Sequence, residues 1–234
     1  MTTIGDNLQR VRTRIANACA AHGRDPADVQ LLAVSKTFGP EAVREAHAAG
    51  QTAFGENYIQ EAVEKIALLQ DLPLQWHCIG PIQSNKTRLV ATHFDWAHTV
   101  DRLKIAQRLS EQRPDGLAPL QVCIQVNIDG GATKAGVAPD EALALAREVA
   151  RLPRLALRGL MTIPEPAADP AAQRAVHEKA RDLFDALRAQ GLALDTLSMG
   201  MTADLEAAIA AGSTLVRVGT AIFGGRPYGA ATAA

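Results

Sequence analysis

Residues 29–57 read VQLLAVSKTFGPEAVREAHAAGQTAFGEN and contain two apolar runs separated by a helical pattern. The first run, Val29–Lys36, ends in a lysine, and the second, Ala53–Asn57, ends in an asparagine. Between them, Pro40 is a signal for the start of a helix and Gly50 for its end. Two strands that are joined through a helix lie parallel, because parallel neighbours need a long crossover. The stretch therefore predicts a strand–helix–strand unit.

The same alternation continues along the rest of the 234 residues. Six more strand-like runs follow, each separated from the next by a helical or turn-rich segment: Leu74–Gly80, Phe94–Val100, Leu120–Ile128, Arg158–Ile163, Thr196–Gly200 and Leu215–Phe223. Eight strands with crossover helices predict an α/β protein with a closed (β/α)8 barrel of the TIM type. An open, doubly wound sheet is the alternative, but the turn after the first run lacks the glycine-rich dinucleotide motif.

An amphipathic stretch before the first strand, with Leu8, Val11 and Ile15 on one face, predicts an additional N-terminal helix. No change of composition divides the chain. We therefore expect one domain over residues 1–234, with about residues 226–234 as a flexible tail.

Composition excludes several classes of function. The 24 Lys and Arg residues are balanced by 25 Asp and Glu residues, and aromatic residues make up only 4%, so a nucleic-acid surface is not expected. No apolar run is long enough to span a membrane. The three cysteines show no metal-ligand spacing and are expected to be reduced thiols. We therefore predict a cytoplasmic protein that has no metal site.

In a barrel of this type the chemistry lies where strands run into the following loops, and here those positions are polar. Lys36 follows an apolar strand and shares the side of Leu32 and Val34. Poor hydration disfavours an ammonium and lowers its pKa, as a Schiff-base nucleophile requires. The alternative is a lysine that extends from the strand end into water.

A second group of candidates follows the last two strands. Arg217 alternates with valines on the eighth strand, which suggests a cation aimed at a ligand, or alternatively a structural ion pair. Loops after the seventh and eighth strands commonly bind phosphate in this fold, and Ser198, Thr202 and Thr220 add hydroxyl groups there. A Schiff-base lysine, a phosphate loop and a cation for a ring nitrogen are together what pyridoxal 5'-phosphate requires. Asn57 could contact such a ligand, cap the following helix, or do both.

The segment WHCIGPIQSNK at Trp76–Lys86 is the most specific motif. With it, the sequence resembles the pyridoxal phosphate homeostasis protein family, single-domain relatives of the alanine racemase N-terminal barrel. The other matching segments are AVSKT at Ala33–Thr37, FGENY at Phe54–Tyr58, VNI at Val126–Ile128, RGLMTI at Arg158–Ile163, LSMGMTAD at Leu197–Asp204 and VRVGTAIFG at Val216–Gly224.

The resemblance implies a covalent aldimine between Lys36 and pyridoxal phosphate, and it places Arg217 at the ring nitrogen and Asn57 near the ring. The phosphate would be surrounded by four residues of the last two loops: Ser198, Gly200, Gly219 and Thr220. Two departures from the family pattern occur, at Cys78, where Phe or Met is usual, and in the segment Asp129–Gly131 together with Ala135.

An arginine at the ring nitrogen stays protonated and keeps that nitrogen unprotonated, which weakens the ring as an electron sink. Related racemases use a second acid–base group from an additional β domain, and this chain has no such segment after its eighth predicted strand. We therefore expect a monomeric, non-enzymatic protein of vitamin B6 homeostasis that buffers pyridoxal phosphate or delivers it to apo-enzymes. Weak amino-acid racemization and a Schiff-base aldolase acting on a sugar phosphate are the alternatives.

Overall fold

The computed structural model describes residues 2–131, 135–167 and 169–225, so the predicted tail at about residues 226–234 lies outside the described part. The strands are β1 Gln30–Val34, β2 Ala53–Glu56, β3 Gln75–Cys78, β4 Trp96–Val100, β5 Leu120–Gln125, β6 Leu155–Met161, β7 Thr196–Ser198 and β8 Leu215–Val218. The helices are α1 Ile4–Ala21, α2 Pro40–Ala48, α3 Ile59–Ala67, α4 Thr87–His93, α5 Leu103–Gln112, α6 Ala142–Ala150, α7 Pro170–Ala189, α8 Leu205–Ala210 and α9 Thr220–Phe223. Short 3-10 turns occur at Pro26–Asp28 and Ser84–Lys86.

Within the described residues the eight strands form one closed barrel in which every strand pairs in parallel with the next. Closure occurs between β1 and β8, where Leu32 lies opposite Arg217 and Ala33 opposite Val218. The prediction of a closed parallel barrel is confirmed, and the open sheet is excluded. The closure also brings the loops that follow the first and last strands side by side.

The predicted N-terminal helix is α1, and its apolar face is buried. Leu8, Val11 and Ile15 are at most 5% exposed and belong to the core between the barrel and its surrounding helices. The side chain of Thr3 and that of Asp6 cap the start of this helix reciprocally. None of the described helices is long and apolar enough to cross a membrane.

Three sequence-based boundaries differ from the structure. The predicted run Leu215–Phe223 ends as a strand at Val218, because Gly219 leaves the extended conformation (φ −115°, ψ −72°) and starts α9. Strand β6 begins at Leu155, earlier than predicted. The predicted helix cap at Asn57 is wrong, because α3 begins at Ile59 without a side-chain cap. The Asn57 side chain therefore has no capping role.

Candidate functional site

A cavity of about 410 Å³ opens at the carboxyl ends of the strands that meet at the barrel closure. Five of the seven residues that the sequence suggested as ligand contacts line it: Lys36, Asn57, Arg217, Gly219 and Thr220. They come from the ends of three strands, β1, β2 and β8, and the closed barrel brings them to one small volume. Apolar side chains of Val34, Ile79 and Ile163 complete much of the wall.

Lys36 lies in the turn after β1, and buried charges below the turn hold its neighbour Ser35. The Ser35 hydroxyl donates to Glu56 Oε1 at 2.6 Å, and Lys65 Nζ donates to the Ser35 carbonyl at 2.9 Å. Lys65 Nζ also lies 2.6 Å from Glu56 Oε1, and these two charged side chains are 4% and 0% exposed. Burial raises the pKa of Glu56 above its ordinary value, although the charge of Lys65 opposes the shift.

The residue on the other side, Thr37, is held by the same group of charges. Its backbone N–H donates to Glu61 Oε1 at 2.9 Å, and Glu61 lies 3.3 Å from Lys65 Nζ. Thr37 has φ of 68°, a left-handed conformation that costs a threonine about 1–2 kcal/mol. We call Glu56, Glu61 and Lys65 the charged cluster. It fixes the backbone on both sides of Lys36 and keeps the turn in a conformation that carries Lys36 into the cavity wall.

Arg217 is a buried cation, 4% exposed, at the floor of the cavity. Its Nη1 donates to Ser198 Oγ at 2.7 Å and its Nη2 to the Thr162 carbonyl at 2.8 Å. Burial lowers its pKa to about 10, so the guanidinium stays charged at neutral pH. No carboxylate in the described part of the chain forms an ion pair with it, so the alternative of a structural ion pair is wrong for these residues. The charge of Asp204 acts on Arg217 from beyond ion-pair distance and raises its pKa, opposing the effect of burial. A buried cation whose hydrogen bonds go to neutral acceptors favours a ligand that brings a further acceptor or an anion.

The loops after β7 and β8 meet at one side of the cavity. Thr220 Oγ1 and Thr202 Oγ1 are 3.3 Å apart, and both residues line the cavity. A Cβ atom at Gly219 would lie 3.2 Å from the Val34 carbonyl, so the backbone there passes closely over β1. Hydroxyl groups from two converging loops form a suitable lining for a phosphate group.

Ser198 and Gly200 are not among the residues that line the cavity. Ser198 is fully buried behind Arg217, with its hydroxyl engaged by that residue. Gly200 has φ of 95°, and a Cβ there would lie 2.5 Å from the Cβ of Ala208, so glycine is required for the turn and for packing. Direct contact of Ser198 or Gly200 with a phosphate stays a prediction.

The cavity contains polar atoms that have no partner in the described structure. Asn57 Oδ1 and Thr37 Oγ1 are buried and without a hydrogen bond from any described residue. The Asn57 backbone packs directly against Gly80, where only glycine fits, because a Cβ atom there would lie 2.1 Å from the Asn57 carbonyl oxygen. Two buried oxygens without hydrogen bonds, and Arg217 without an ion pair among the described residues, lie beside Lys36. They fit pyridoxal phosphate, which has a polar ring with an acceptor nitrogen, a hydroxyl and a phosphate.

The charged cluster was not predicted from the sequence, although the sequence of α3 contains a signal for it. Lys65 follows Ile59 and Ala62 at helical spacing, so a lysine occupies the buried face of α3. A lysine at such a position needs a buried partner, which is Glu56. The departure at Cys78 has no direct effect on the cavity wall, because this side chain packs in the core around the barrel.

Comparison with known proteins agrees with this geometry. The model of the family "Alanine racemase, N-terminal domain" matches residues 6–227. The pyridoxal phosphate homeostasis protein of Pseudomonas aeruginosa is 63% identical over 230 residues, which are 98% of this chain and 99% of that protein. The chain belongs to the pyridoxal phosphate homeostasis protein family.

Solved structures place the family among alanine racemase-like barrels. PipY of Synechococcus elongatus, with PLP bound, is 41% identical and matches 90% of this chain and 100% of that chain with a TM-score of 0.79. An alanine racemase of Clostridium difficile matches 95% of this chain and 57% of that chain with a TM-score of 0.76. Its identity is 17%, so it supports the fold alone. The resemblance to the pyridoxal phosphate homeostasis protein family inferred from the sequence is confirmed.

Proposed function

We propose that this protein binds pyridoxal 5'-phosphate in the cavity, holds it covalently on Lys36 and exchanges it without turning over a substrate. The single observation that carries the proposal is the meeting of Lys36, Arg217 and the Thr202–Thr220 contact in one small cavity. The names of the relatives, one of them solved with PLP bound, support it.

Each lining residue has a role that follows from its chemistry. Lys36 supplies the primary amine, and pyridoxal phosphate supplies an aldehyde that condenses reversibly with such an amine, releasing water. Arg217 would hold the ring nitrogen as a hydrogen-bond donor and, because it is itself charged, would disfavour a proton there. Gly219 and Thr220, with Thr202, surround the phosphate, and Asn57 offers its unsatisfied oxygen to the ligand.

The chemistry of the wall argues against efficient catalysis. Among the described lining residues there is no histidine, tyrosine, cysteine or carboxylate side chain, so Lys36 and Arg217 are the only ones of them that carry an ionisable side chain. Racemization needs one group to remove a proton and a second to deliver one on the opposite face. The described wall therefore supports binding and release, and weak racemization is the alternative that chiral analysis of incubated L-alanine tests.

The mouth of the cavity supports exchange. Met201 and Ile163 line the cavity and are 40% and 39% exposed, so the wall continues directly into the outer surface. A ligand held there is reached by water and by competing amines. Transfer to apo-enzymes, a monomeric state and a cytoplasmic location belong to this same proposal.

Absorption spectroscopy tests the proposal. Adding pyridoxal phosphate should produce a band in the near-visible range, and borohydride reduction followed by peptide mass mapping should find the modification on Lys36. Lys36→Ala should abolish the band, whereas Lys104→Ala, at an exposed position of α5, should retain it. A band of normal strength in Lys36→Ala would contradict the proposal.

A further inference from the structure

A continuous series of hydrogen bonds runs through the barrel interior beneath Arg217. Ser198 Oγ, which accepts from Arg217, lies 2.9 Å from His98 Nδ1. His98 Nε2 lies 2.9 Å from His77 Nδ1, and His77 Nε2 lies 3.0 Å from Gln75 Oε1. We call Ser198, His98, His77 and Gln75 the polar column. It links the cavity to Gln75, the first residue of β3, at the opposite end of the barrel.

The middle of the column is sealed from water. His77, His98 and Ser198 are 0% exposed, and the His77 ring stacks on Trp96 with ring centres 5.2 Å apart. Burial lowers the pKa of His77 to about 3, and it lowers that of His98 well below its ordinary value, with the charge of Arg217 acting in the same direction. Both rings are therefore neutral, and each has one nitrogen that donates and one that accepts.

With the Gln75 amide in the orientation that the structure gives it, this end of the column has one direction of hydrogen bonding. The Gln75 oxygen only accepts, and the Gln30 side-chain amide also approaches it, at 3.4 Å. His77 Nε2 is then the donor and His77 Nδ1 the acceptor. It follows that His98 donates from Nε2 and accepts at Nδ1, and that the Ser198 hydroxyl donates to His98.

The Ser198 end leads independently to the same direction. Ser198 Oγ contacts only Arg217 and His98 among the described side chains, and Arg217 can only donate. If His98 also donated to Ser198, the serine hydrogen would be buried without an acceptor among the described residues, which is unfavourable. The two ends therefore agree on one direction, from Arg217 to Gln75.

We propose that the polar column positions the guanidinium of Arg217, with both histidines neutral and protonated on Nε2. Because Ser198 gives its hydrogen to His98, its oxygen is available only as an acceptor for Arg217. Together with the Thr162 carbonyl, which binds the other terminal nitrogen, it fixes the plane of the guanidinium. Ser198, His98 and His77 are thus positioning residues. Their effect on the ligand rests on the proposed function, whereas their effect on Arg217 does not.

The first experiment uses the ligand-free protein. Two-bond 15N–1H correlation spectra of the imidazoles should show His77 and His98 as neutral Nε2–H tautomers, unchanged from pH 8 to pH 5.5. Rotation of the Arg217 guanidinium, followed by 15N exchange spectroscopy, should be slow in the wild type. Ser198→Ala should speed it by about tenfold or more, the value of a hydrogen bond to a charged group, and Ser198→Thr, which keeps the hydroxyl, should restore slow rotation. A protonated ring, an Nδ1–H tautomer, or unchanged rotation in Ser198→Ala would overturn the proposal.

The second experiment separates positioning from direct contact with the ligand. Ser198→Ala should weaken pyridoxal phosphate binding by about tenfold in the wild type but by less than about twofold in an Arg217→Ala background, because coupled residues are not additive. An equal loss in both backgrounds would show that Ser198 contacts the ligand itself and would overturn the column's role. Ser110→Ala is the matched control, since within the described ranges this buried hydroxyl bonds only the Pro153 carbonyl. Failure of the wild type to bind at all would contradict the proposed function, while the spectra of the ligand-free protein would still decide the proposal about the column.

Discussion

The barrel supports its two key cations in opposite ways. Lys36 is carried on a turn whose backbone is gripped by the charged cluster, so ionic groups position it through its neighbours. Arg217 is held by its own side chain, through the uncharged polar column. The difference matches their tasks. Under the proposed function, Lys36 forms and breaks a covalent bond and needs a fixed backbone, whereas Arg217 donates hydrogen bonds and needs a fixed guanidinium.

The largest expected effect comes from removing the cation of the charged cluster. Lys65→Met leaves the Glu56 carboxylate buried without its partner, and breaking such a pair should lower the free energy of unfolding by about 3–5 kcal/mol. The loss should be smaller at pH 5 than at pH 8. Without Lys65 the Glu56 pKa rises further, so the folded state binds the extra proton and loses stability as the pH rises.

Urea denaturation at the two pH values measures this effect. The double variant Glu56→Gln/Lys65→Met serves as the control, because it buries no charge at either position and should recover part of the lost stability at pH 8. If Lys65→Met cost less than about 1 kcal/mol, as exposed ion pairs do, the turn would not depend on the cluster.

An intermediate effect is expected in the polar column. His98→Leu leaves the hydrogen of the Ser198 hydroxyl without an acceptor and His77 Nδ1 without a donor, and it should lower the free energy of unfolding by about 2 kcal/mol at pH 7.5. The pKa of His98 is lowered in the folded state, so below the ordinary value of about 6.5 only the unfolded state takes up this proton. Between pH 7.5 and pH 5, this proton uptake lowers the free energy of unfolding of the wild type by about 2 kcal/mol. The leucine variant has no such group and does not show this loss.

The difference in the free energy of unfolding between wild type and His98→Leu should therefore nearly vanish at pH 5. Urea denaturation at pH 7.5 and pH 5 measures it. His93→Leu, at an exposed position at the end of α4, should change the stability by no more than about 0.5 kcal/mol at either pH. A difference that stays constant with pH would mean that His98 takes up its proton as readily in the folded protein as in the unfolded chain.

The smallest effect is expected at the turn itself. Thr37→Gly removes the cost of a left-handed threonine but adds flexibility to the unfolded chain, and these opposing terms are each about 1 kcal/mol. Thermal and urea unfolding should show a net change within about 1 kcal/mol. A loss of more than about 2 kcal/mol would indicate that the threonine side chain, rather than the charged cluster, holds the turn.

The sequence predicted the barrel because each strand and helix has its own local signal, such as Pro40 at the start of α2 and the apolar face of α1. Five of its seven candidate residues line one cavity, because the fold class places strand ends together. The contacts in the barrel interior beneath the cavity residues could not be predicted in the same way. His77 and His98 touch only because of the register between β3 and β4, which no local pattern specifies.

The same reason explains why the sequence did not predict the contact between Ser198 and Arg217. From the sequence, a serine at the end of β7 suggests a phosphate contact, and that contact stays a prediction. The hydrogen bond to Arg217 depends on the pairing of β7 with β8, which brings the two side chains within 2.7 Å of each other. Strand alternation predicts the face on which a side chain lies, but not its depth in the barrel.

Lys36 and Arg217 come from the first and the last strand, which meet only at the seam that completes the barrel. During biosynthesis the two halves of the site are separated by nearly all the intervening strands, so a nascent or truncated chain has no place for the ligand. Contacts this distant in sequence are among the slowest to form. Binding of pyridoxal phosphate by refolding protein should accordingly report the last step of folding, which is the pairing of β1 with β8.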